Sequence, residues 1–318
     1  MTAPIEVSAP SNIALIKYMG KIKSEGNRPT NSSLSWTMEK FRTSVVLEPI
    51  EQGQDLWKPL ERADLKTMEL SDKGKARFLN YFTRLKSHFG ISGQYLIQSG
   101  NNFPSDCGLA SSASSFAALT MAAARLAETG GTQNKDFSIL ELAELSRTGS
   151  GSSCRSFFGP FVIWSDSGVR PIQFPMNELS HQVIVVNSGV KTVSSSEAHQ
   201  RVVTSALFEG RPARAEKRLA ELMEAFRQKD WGRAFEVTWA EFQDMHALFE
   251  TSDPAFGYFE EKTVSALRAL RQFWVEKKDG PLVTMDAGAN IHLLYRSDQE
   301  SFKAELKQRL SSQFQVME

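Results

Sequence analysis

The chain has 318 residues, which at about 150 residues per domain predicts two domains. Its 37 Lys and Arg balance its 37 Asp and Glu, which argues against nucleic acid as a partner but not against an anionic small ligand. No apolar run approaches the roughly 18 residues of a membrane span, and the start lacks the pattern of a secretory signal. Two Cys are too few for a disulfide framework. We therefore expect a globular, cytoplasmic protein without a membrane partner.

The first half of the chain alternates short β-rich runs with turns and helical patterns. Runs rich in β-formers predict strands, and apolar residues at helical spacing predict helices. The elements predicted there are strands at 6–8, 13–18, 33–37 and 43–49, a loop at 21–31, a helix at 73–90, a strand at 95–99, helices at 109–128 and 137–148, and a strand at 157–164.

Long helical patterns dominate the second half. The elements predicted there are a strand at 181–187, helices at 195–208, 212–229, 231–249 and 260–277, strands at 282–287 and 291–295, and a helix at 301–314. Because strands and helices mix without a strict βαβ repeat, the predicted fold class is α+β. We place the domain boundary so that residues 1–180 form the N-terminal domain and 181–318 the C-terminal domain.

A turn with Gly and small hydroxyl residues precedes the long apolar helix predicted from residue 109. Backbone N–H groups at a helix N-terminus carry partial positive charge and suit phosphate. Ser111 and Ser112 add hydroxyl groups for phosphate or for a metal that bridges phosphates. The segment lacks the Gly-Lys-Ser/Thr of the Walker motif. An ordinary Ser-rich helix start explains it equally well.

Residues 146–155 contain two Gly, four Ser and two Arg. Gly allows a ligand to approach the backbone closely, and hydroxyls with an Arg fork suit phosphate or carboxylate. A solvated loop is the alternative interpretation. We favour an anion site because the segment leads directly into an apolar strand.

Two charged residues stand in apolar surroundings. Lys17 lies within an apolar strand, so its ammonium needs a partner or a cleft; exposure at the strand end is the simpler interpretation of that segment alone. Asp286 ends an apolar strand before a Gly turn, where a carboxylate is either a turn cap or a catalytic group. The five His residues show no metal-ligand spacing.

Four segments taken together resemble the GHMP family of small-molecule kinases and, within it, the diphosphomevalonate decarboxylases. They are residues 12–21 with 29–35, residues 101–113, residues 149–156 and residues 285–290. The phosphate loop alone indicates only a GHMP kinase, whereas all four segments are typical of the decarboxylases. The resemblance implies a two-domain GHMP kinase fold, with a ribosomal protein S5 domain 2-like N-terminal domain and a ferredoxin-like C-terminal domain with added helices. The active site would lie in the cleft between them.

The resemblance also implies a reaction. ATP with Mg²⁺ phosphorylates the tertiary 3-hydroxyl of mevalonate 5-diphosphate, the small-molecule substrate. Phosphate then leaves, CO₂ is lost and isopentenyl diphosphate forms. Phosphorylation converts a poor leaving group into a good one, and Mg²⁺ neutralises the phosphate charge. Members of this family are often homodimers, so a homodimer is a further expectation.

The family's functional residues carry over to matching positions of this sequence. Asp286 would accept or orient the hydroxyl proton, Lys17 would stabilise the shifting charge, and Arg155 would hold the substrate carboxylate. Ser152 completes the catalytic set. The implied substrate-binding residues are Asn12, Tyr18, Lys21, Ser150, Gly151, Ser195 and Ser196. The implied ATP-binding residues are Pro104, Gly108, Leu109, Ala110, Ser111 and Ser112, with the hydroxyl of Ser111 or Ser112 also binding the metal.

The sequence departs from the family pattern at several positions. Met19 stands where the family usually has Trp, and Asp106 and Cys107 stand where the phosphate loop has small neutral residues. Ala289 replaces a common Pro, and residues 194–199 match only loosely. These departures keep a phosphomevalonate decarboxylase as an alternative, and a mevalonate 3-kinase is a second alternative within the family. A non-catalytic nucleotide-binding protein is a third alternative.

Overall fold

The computed structural model describes residues 3–22, 26–51, 53–66, 69–104, 111–130, 136–187, 189 and 192–318. Within these ranges ten strands form two sheets, and eight α-helices pack around them. This mixture without strict βαβ alternation confirms the α+β class. Across the same ranges, no helix combines the length and the apolar character that a membrane crossing requires.

The first sheet is built around β2 (Ser33–Ile50), a strand of 18 residues. β1 (Ile5–Ile16) pairs with it antiparallel along most of its length. The other strands are β3 (Leu56–Pro59), β4 (Gln94–Asn101), β5 (Phe161–Ser165) and β6 (Gly168–Ile172), and the order across the sheet is β3-β4-β2-β5-β6. Of the pairings in this sheet, that of β3 with β4 is parallel.

The helices of the first half are α1 (Asp72–Phe89), α2 (Ser111–Thr129), α3 (Ile139–Arg147) and a 3₁₀ helix (Gly151–Phe157). Ser71 caps α1 by accepting a hydrogen bond from the Gly74 N–H, and Gly90 ends the helix in the left-handed conformation at φ 68°. α2 is rich in Ala and buried on most sides, and these small side chains let it pack closely against β1, α1 and the 3₁₀ helix.

The second sheet has four antiparallel strands. In spatial order they are β10 (Gln315–Met317), β7 (Leu179–Val185), β9 (Ile291–Arg296) and β8 (Leu282–Met285). The helices of this half are α4 (Ser195–Arg201), α5 (Arg211–Arg227), α6 (Trp231–Glu250), α7 (Glu261–Lys277) and α8 (Glu300–Leu310).

One hydrophobic core joins the two sheets. Ile13 and Leu34 of the first sheet belong to the same buried cluster as Val183 and Leu293 of the second sheet. Helices α5, α6 and α7 add side chains to this cluster. β1 and β8 also meet inside the molecule, where the Thr284 hydroxyl donates a hydrogen bond to the Ala14 carbonyl.

Several predicted element bounds were wrong. The two strands predicted at 33–37 and 43–49 are one strand, β2, and the strand predicted at 157–164 begins at Phe161, because Phe157 ends the 3₁₀ helix. The helix predicted at 195–208 gives way after Arg201 to a 3₁₀ turn at Val202–Thr204. Strands β3, β6 and β10 were not predicted, because three to five residues are too few to show a period.

Candidate active site

Lys17 and Asp286 are in contact although 269 positions separate them in the chain. Lys17 directly follows β1 and Asp286 directly follows β8. Thr284 ties these strands together, since its hydroxyl donates to the Ala14 carbonyl at 3.1 Å. The Lys17 Nζ lies 2.6 Å from Asp286 Oδ1. The Lys17 side chain is 3% exposed and the Asp286 side chain 27%, so solvent reaches the pair from the carboxylate side.

The surroundings of this pair keep the carboxyl group ionised. Burial alone would raise the pKa of Asp286, but the charges of Lys17 and His292 outweigh burial and hold that pKa below its usual value. Burial lowers the pKa of Lys17 more than the neighbouring Asp286 carboxylate raises it. An ionised carboxylate beside a cation can accept a proton from a substrate hydroxyl and stabilise charge that develops there.

Arg155 is held rigidly in the 3₁₀ helix and is 4% exposed. Its Nε donates to Asn12 Oδ1 at 3.1 Å and its Nη1 donates to Ser33 Oγ at 2.8 Å. The Asn12 amide in turn donates to the Ser152 carbonyl at 3.2 Å and to Ser156 Oγ at 2.8 Å. The structure therefore brings the predicted residues Asn12, Ser152 and Arg155 into one network, in which Ser152 takes part through its backbone.

Tyr18 lies beside this network. Its ring meets Trp164 edge-on at 4.7 Å and stacks on His199 at 4.5 Å between centroids. The Arg155 guanidinium lies 5.8 Å from the same ring. Burial raises the pKa of Tyr18 to about 12, so its hydroxyl stays a hydrogen-bond donor. A Cβ on Gly151 would collide with that hydroxyl, so a larger residue at this position would have to displace Tyr18.

Lys21 and Arg77 supply two further cations. Burial, helped by the charge of Arg77, lowers the pKa of Lys21 to about 8. Lys21 Nζ donates to Asn27 Oδ1 at 2.8 Å. Arg77, from α1, donates to the Gly149 carbonyl at 2.7 Å and lies 3.5 Å from Ser196 Oγ. The structure thus places Ser196 next to the exposed cation of Arg77, whose charge also acts on Lys21.

The other predicted substrate residues are less closely tied to this set. Ser150 is buried, and its carbonyl accepts hydrogen bonds from Ser153. Ser195 is exposed at the first position of α4, and among the described residues no contact links it to the others. Met19 is 3% exposed and packs with Val193 and Ala198, so it joins the end of the first strand to the region of α4.

The predicted ATP site is described in part. Ser111 and Ser112 open α2 and remain accessible, and Pro104 is half-buried after β4. Thr43 anchors the first turn of the helix through a 2.6 Å hydrogen bond with Ser114. The predicted ATP-binding residues that lie outside the described part of the chain are Gly108, Leu109 and Ala110.

Sequence reasoning missed five residues of this region: Arg77, His199, Arg211, Glu241 and His246. Glu241 accepts a hydrogen bond from the Lys17 N–H at 2.9 Å, and Arg211 donates to the Lys17 carbonyl at 3.0 Å. A charge in an apolar stretch singles out Lys17, and the same rule applies to Glu241 in α6. Arg77 gives no such signal, because α1 carries many charged residues.

The fold and the site together define an enzyme that acts on an anionic small molecule. A buried Lys–Asp pair lies beside an anchored Arg where the two sheets meet. Comparison with known families identifies the class. Residues 9–170 match the diphosphomevalonate decarboxylase-like N-terminal domain, and residues 181–317 match the mevalonate 5-diphosphate decarboxylase C-terminal domain. The chain therefore belongs to the diphosphomevalonate decarboxylase family, and the resemblance inferred from its motifs is confirmed.

Known proteins match this chain over nearly all of its residues. The diphosphomevalonate decarboxylase of Saccharomyces cerevisiae is 32% identical over 326 residues, which cover 93% of this chain and 78% of the yeast protein. The crystal structure of a mevalonate diphosphate decarboxylase from Legionella pneumophila is 46% identical with a TM-score of 0.93, covering 99% of this chain and 100% of that one. A structure described as MDDEF in complex with MVAPP, AMPPCP and magnesium is 31% identical with a TM-score of 0.85, covering 99% and 96%. These matches also confirm the two-domain fold that the resemblance implies.

Proposed function

We propose that the chain catalyses the ATP-dependent decarboxylation of mevalonate 5-diphosphate to isopentenyl diphosphate, with release of ADP, phosphate and CO₂. The observation that carries this proposal is the 2.6 Å contact between Lys17 and Asp286 beside the anchored Arg155. Asp286 accepts or orients the proton of the 3-hydroxyl as that oxygen attacks the γ-phosphate of ATP. Lys17 stabilises the negative charge on the reacting oxygens.

Arg155 holds the substrate carboxylate in this proposal. Asn12 and Ser33 occupy Nε and Nη1, which within the described residues leaves Nη2 for a ligand. A planar guanidinium suits a carboxylate better than an ammonium does. When the 3-phosphate leaves, the electrons of the bond between carbon and the carboxylate form the new double bond, and CO₂ departs. A rigid Arg keeps the carboxylate aligned for this step.

The cations around Tyr18 bind the substrate diphosphate in this proposal. Lys21 and Arg77 supply charge, and Tyr18 and Ser196 supply hydroxyl donors. Ser195 would join them from the first position of α4. Cations beside hydroxyl groups suit a phosphate tail, because charge-assisted hydrogen bonds are the strong ones.

ATP and Mg²⁺ bind at the start of α2 in this proposal. The accessible hydroxyls of Ser111 and Ser112 are hard oxygen donors of the kind that Mg²⁺ accepts together with phosphate oxygens. Within the described residues, no group of three or more His, Cys, Asp or Glu side chains could hold a metal ion. When bound, Mg²⁺ neutralises the phosphate charge.

The test is an assay of purified protein with ATP and Mg²⁺ that follows ADP and CO₂ together. Mevalonate 5-diphosphate, mevalonate 5-phosphate and mevalonate are run side by side. Equal amounts of ADP and CO₂ with the diphosphate alone support the proposal. The same yield with the monophosphate moves the substrate to the shorter phosphate tail. ADP without CO₂ means a 3-kinase, and no turnover leaves a nucleotide-binding protein.

Variants of the pair give the first mutational prediction. Asp286→Asn and Lys17→Met are each expected to lower kcat by about 10²–10⁴-fold, because each removes a positioned acid–base or charged group. ATP binding, measured by fluorescence of a labelled nucleotide, should persist. The exposed pair of Asp72 and Lys75 is the control, and Asp72→Asn with Lys75→Met should leave turnover unchanged. Turnover near that of the unmodified protein in either active-site variant contradicts the assigned roles.

Two further expectations concern the location and the oligomeric state of the protein. The low number of Cys favours a cytoplasmic location, and fractionation of cells that make the protein tests it. A homodimer is expected from the family resemblance alone, and light scattering of the purified protein tests it.

A further inference from the structure

The backbone of Lys17 is held by two buried, oppositely charged side chains from the second half of the chain. Glu241 accepts a hydrogen bond from the Lys17 N–H at 2.9 Å, and Arg211 donates to the Lys17 carbonyl at 3.0 Å. Both side chains are 0% exposed, and they pair with each other. Because N–H and C=O are both engaged, the two peptide groups that flank the Lys17 Cα have little freedom to rotate.

The backbone of Asp286 is held by α6, the helix that also carries Glu241. His246 follows Glu241 by five positions on α6, and its Nε2 lies 3.2 Å from the Asp286 carbonyl oxygen. A carbonyl oxygen only accepts, so Nε2 carries the proton and donates. The His246 ring is 2% exposed and stacks on Phe259 at 4.4 Å between centroids. Its orientation is therefore fixed by packing.

The charged cluster behind Lys17 is larger than packing requires. Asp244 also pairs with Arg211, and Arg218 bridges Glu241 and Asp244 at 3.1 and 2.7 Å. Arg214 pairs with Asp244 on the outer side. Removing charges from water is unfavourable, and apolar residues of similar volume stabilise a core as well or better. A role in stability alone does not explain this cluster.

We infer that α6 is a positioning element, in which Glu241 with Arg211 and His246 set the separation and orientation of Lys17 and Asp286. One rigid helix thereby holds the backbone of both members of the pair, although they come from opposite ends of the chain. Glu241 and His246 do not touch the substrate and act through these two residues. The inference rests on the function proposed above for the pair.

The charge of Glu241 also affects the pKa of Lys17. The charged groups that face Lys17 are Asp286, Glu241, Arg155 and Arg211. Burial is the largest influence and lowers the pKa of Lys17, as Arg155 does, whereas the carboxylates of Asp286 and Glu241 raise it. Replacing the Glu241 carboxylate with an amide keeps a hydrogen-bond acceptor but removes the negative charge. The protonated form of Lys17 is then lost at lower pH.

The experiment compares kcat, KM and the pH profile of three α6 variants. Glu241→Gln is expected to lower kcat and to move the alkaline limb of its pH profile to lower pH. His246→Leu should lower kcat on the order of 10- to 100-fold with KM for both substrates nearly unchanged, because displacement of the reacting groups lowers kcat. His246→Gln restores a donor and should recover most of the activity. The pH profile of kcat for His246→Gln should keep its alkaline limb at the same pH as in the unmodified protein.

Asp55→Asn is the matched control. Asp55 accepts from the Tyr95 N–H at 2.9 Å and pairs with Lys86 at 2.7 Å, so it combines a backbone and a cation contact as Glu241 does. Its replacement should lower stability and leave kcat and the pH profile unchanged. If the α6 variants behave like this control, the inference is wrong. If Glu241→Gln fails to fold, the inference is tested by the loss of kcat in His246→Leu and its recovery in His246→Gln. Absence of ATP-dependent CO₂ release by the unmodified protein contradicts the proposed function instead.

Discussion

The His199 side chain contacts both Tyr18 and Gly20. The His199 ring stacks on Tyr18, and its Nδ1 accepts a hydrogen bond from the Gly20 N–H at 3.1 Å. Burial, followed by the charges of Lys21 and Arg155, lowers the pKa of His199 to about 3. The ring is therefore neutral at any working pH, with the proton on Nε2 and Nδ1 free to accept.

This shift predicts how stability depends on pH. Below about pH 6.5 the unfolded chain binds a proton at His199 that the folded chain does not bind until about pH 3, so acid favours the unfolded state across that window. His199→Asn keeps an acceptor near Nδ1 and removes the titration. Between pH 6 and pH 5 the unmodified protein should lose about 1 kcal/mol more unfolding free energy than the variant.

Urea denaturation at pH 7, 6 and 5 measures this difference. His88, exposed on α1, is the control, and His88→Asn should follow the unmodified protein at each pH. If the unfolding free energies of His199→Asn and the unmodified protein fall equally from pH 7 to pH 5, the buried ring does not resist protonation.

How far the site could be predicted depends on where each residue lies. Lys17 and Asp286 stand out because a charge next to an apolar strand needs a reason, and Arg155 stands out within a Gly- and Ser-rich segment. Arg77 lies on an amphipathic helix, where charged residues ordinarily face water. The fact that α1 aims it at Gly149 and Ser196 follows from tertiary packing alone.

The 3₁₀ helix at Gly151–Phe157 is the element that aims Arg155. It packs against α2, α3 and β1, and six of its seven residues are buried. Gly151 lets this helix approach Tyr18, since a Cβ there would collide with the Tyr18 hydroxyl. The close approach of the two segments keeps Tyr18 and Arg155 on one wall of the site.

Gly151→Ala is therefore expected to displace Tyr18 and to raise KM for the substrate by about tenfold, with a loss of stability of about 1–3 kcal/mol from overpacking. Gly232→Ala is the control, because a Cβ there, at the start of α6, would meet only ordinary van der Waals contact at 3.7 Å. Steady-state kinetics and thermal denaturation measure both effects. An unchanged KM for Gly151→Ala would mean that Tyr18 does not contribute to substrate binding.

Elements with a long apolar period were predicted to within a few residues. α1 spans Asp72–Phe89 and α6 spans Trp231–Glu250, against predicted ranges of 73–90 and 231–249. The interior of β2 was not predicted, because Glu39 and Lys40 interrupt its apolar pattern. These two residues are exposed where the pairing with β1 shifts register between Pro10 and Ser11, so a break in the pattern marks a bulge rather than the end of a strand.

The whole molecule has two sheets but a shared core. Side chains from β1, β2, β7 and β9 lie in one buried cluster, and the contact between Lys17 and Asp286 crosses the same junction. The boundary predicted near residue 180 stays a prediction, because side chains from both sheets lie in one buried cluster. Composition and length indicate two domains, but they carry no information about how much core the domains share.

We therefore expect the chain to unfold in a single cooperative transition. Separating the sheets exposes side chains such as Ile13, Leu34, Val183 and Leu293 to water. Each Å² of apolar surface exposed costs roughly 25 cal/mol of free energy. Neither half should therefore stay folded without the other. Calorimetry should give equal calorimetric and van't Hoff enthalpies. A fragment of residues 1–180 should aggregate or lack native circular dichroism. Two resolved transitions, or a folded and soluble fragment, would show that each sheet carries a sufficient core of its own, and that the Lys17–Asp286 contact forms between two independently stable bodies.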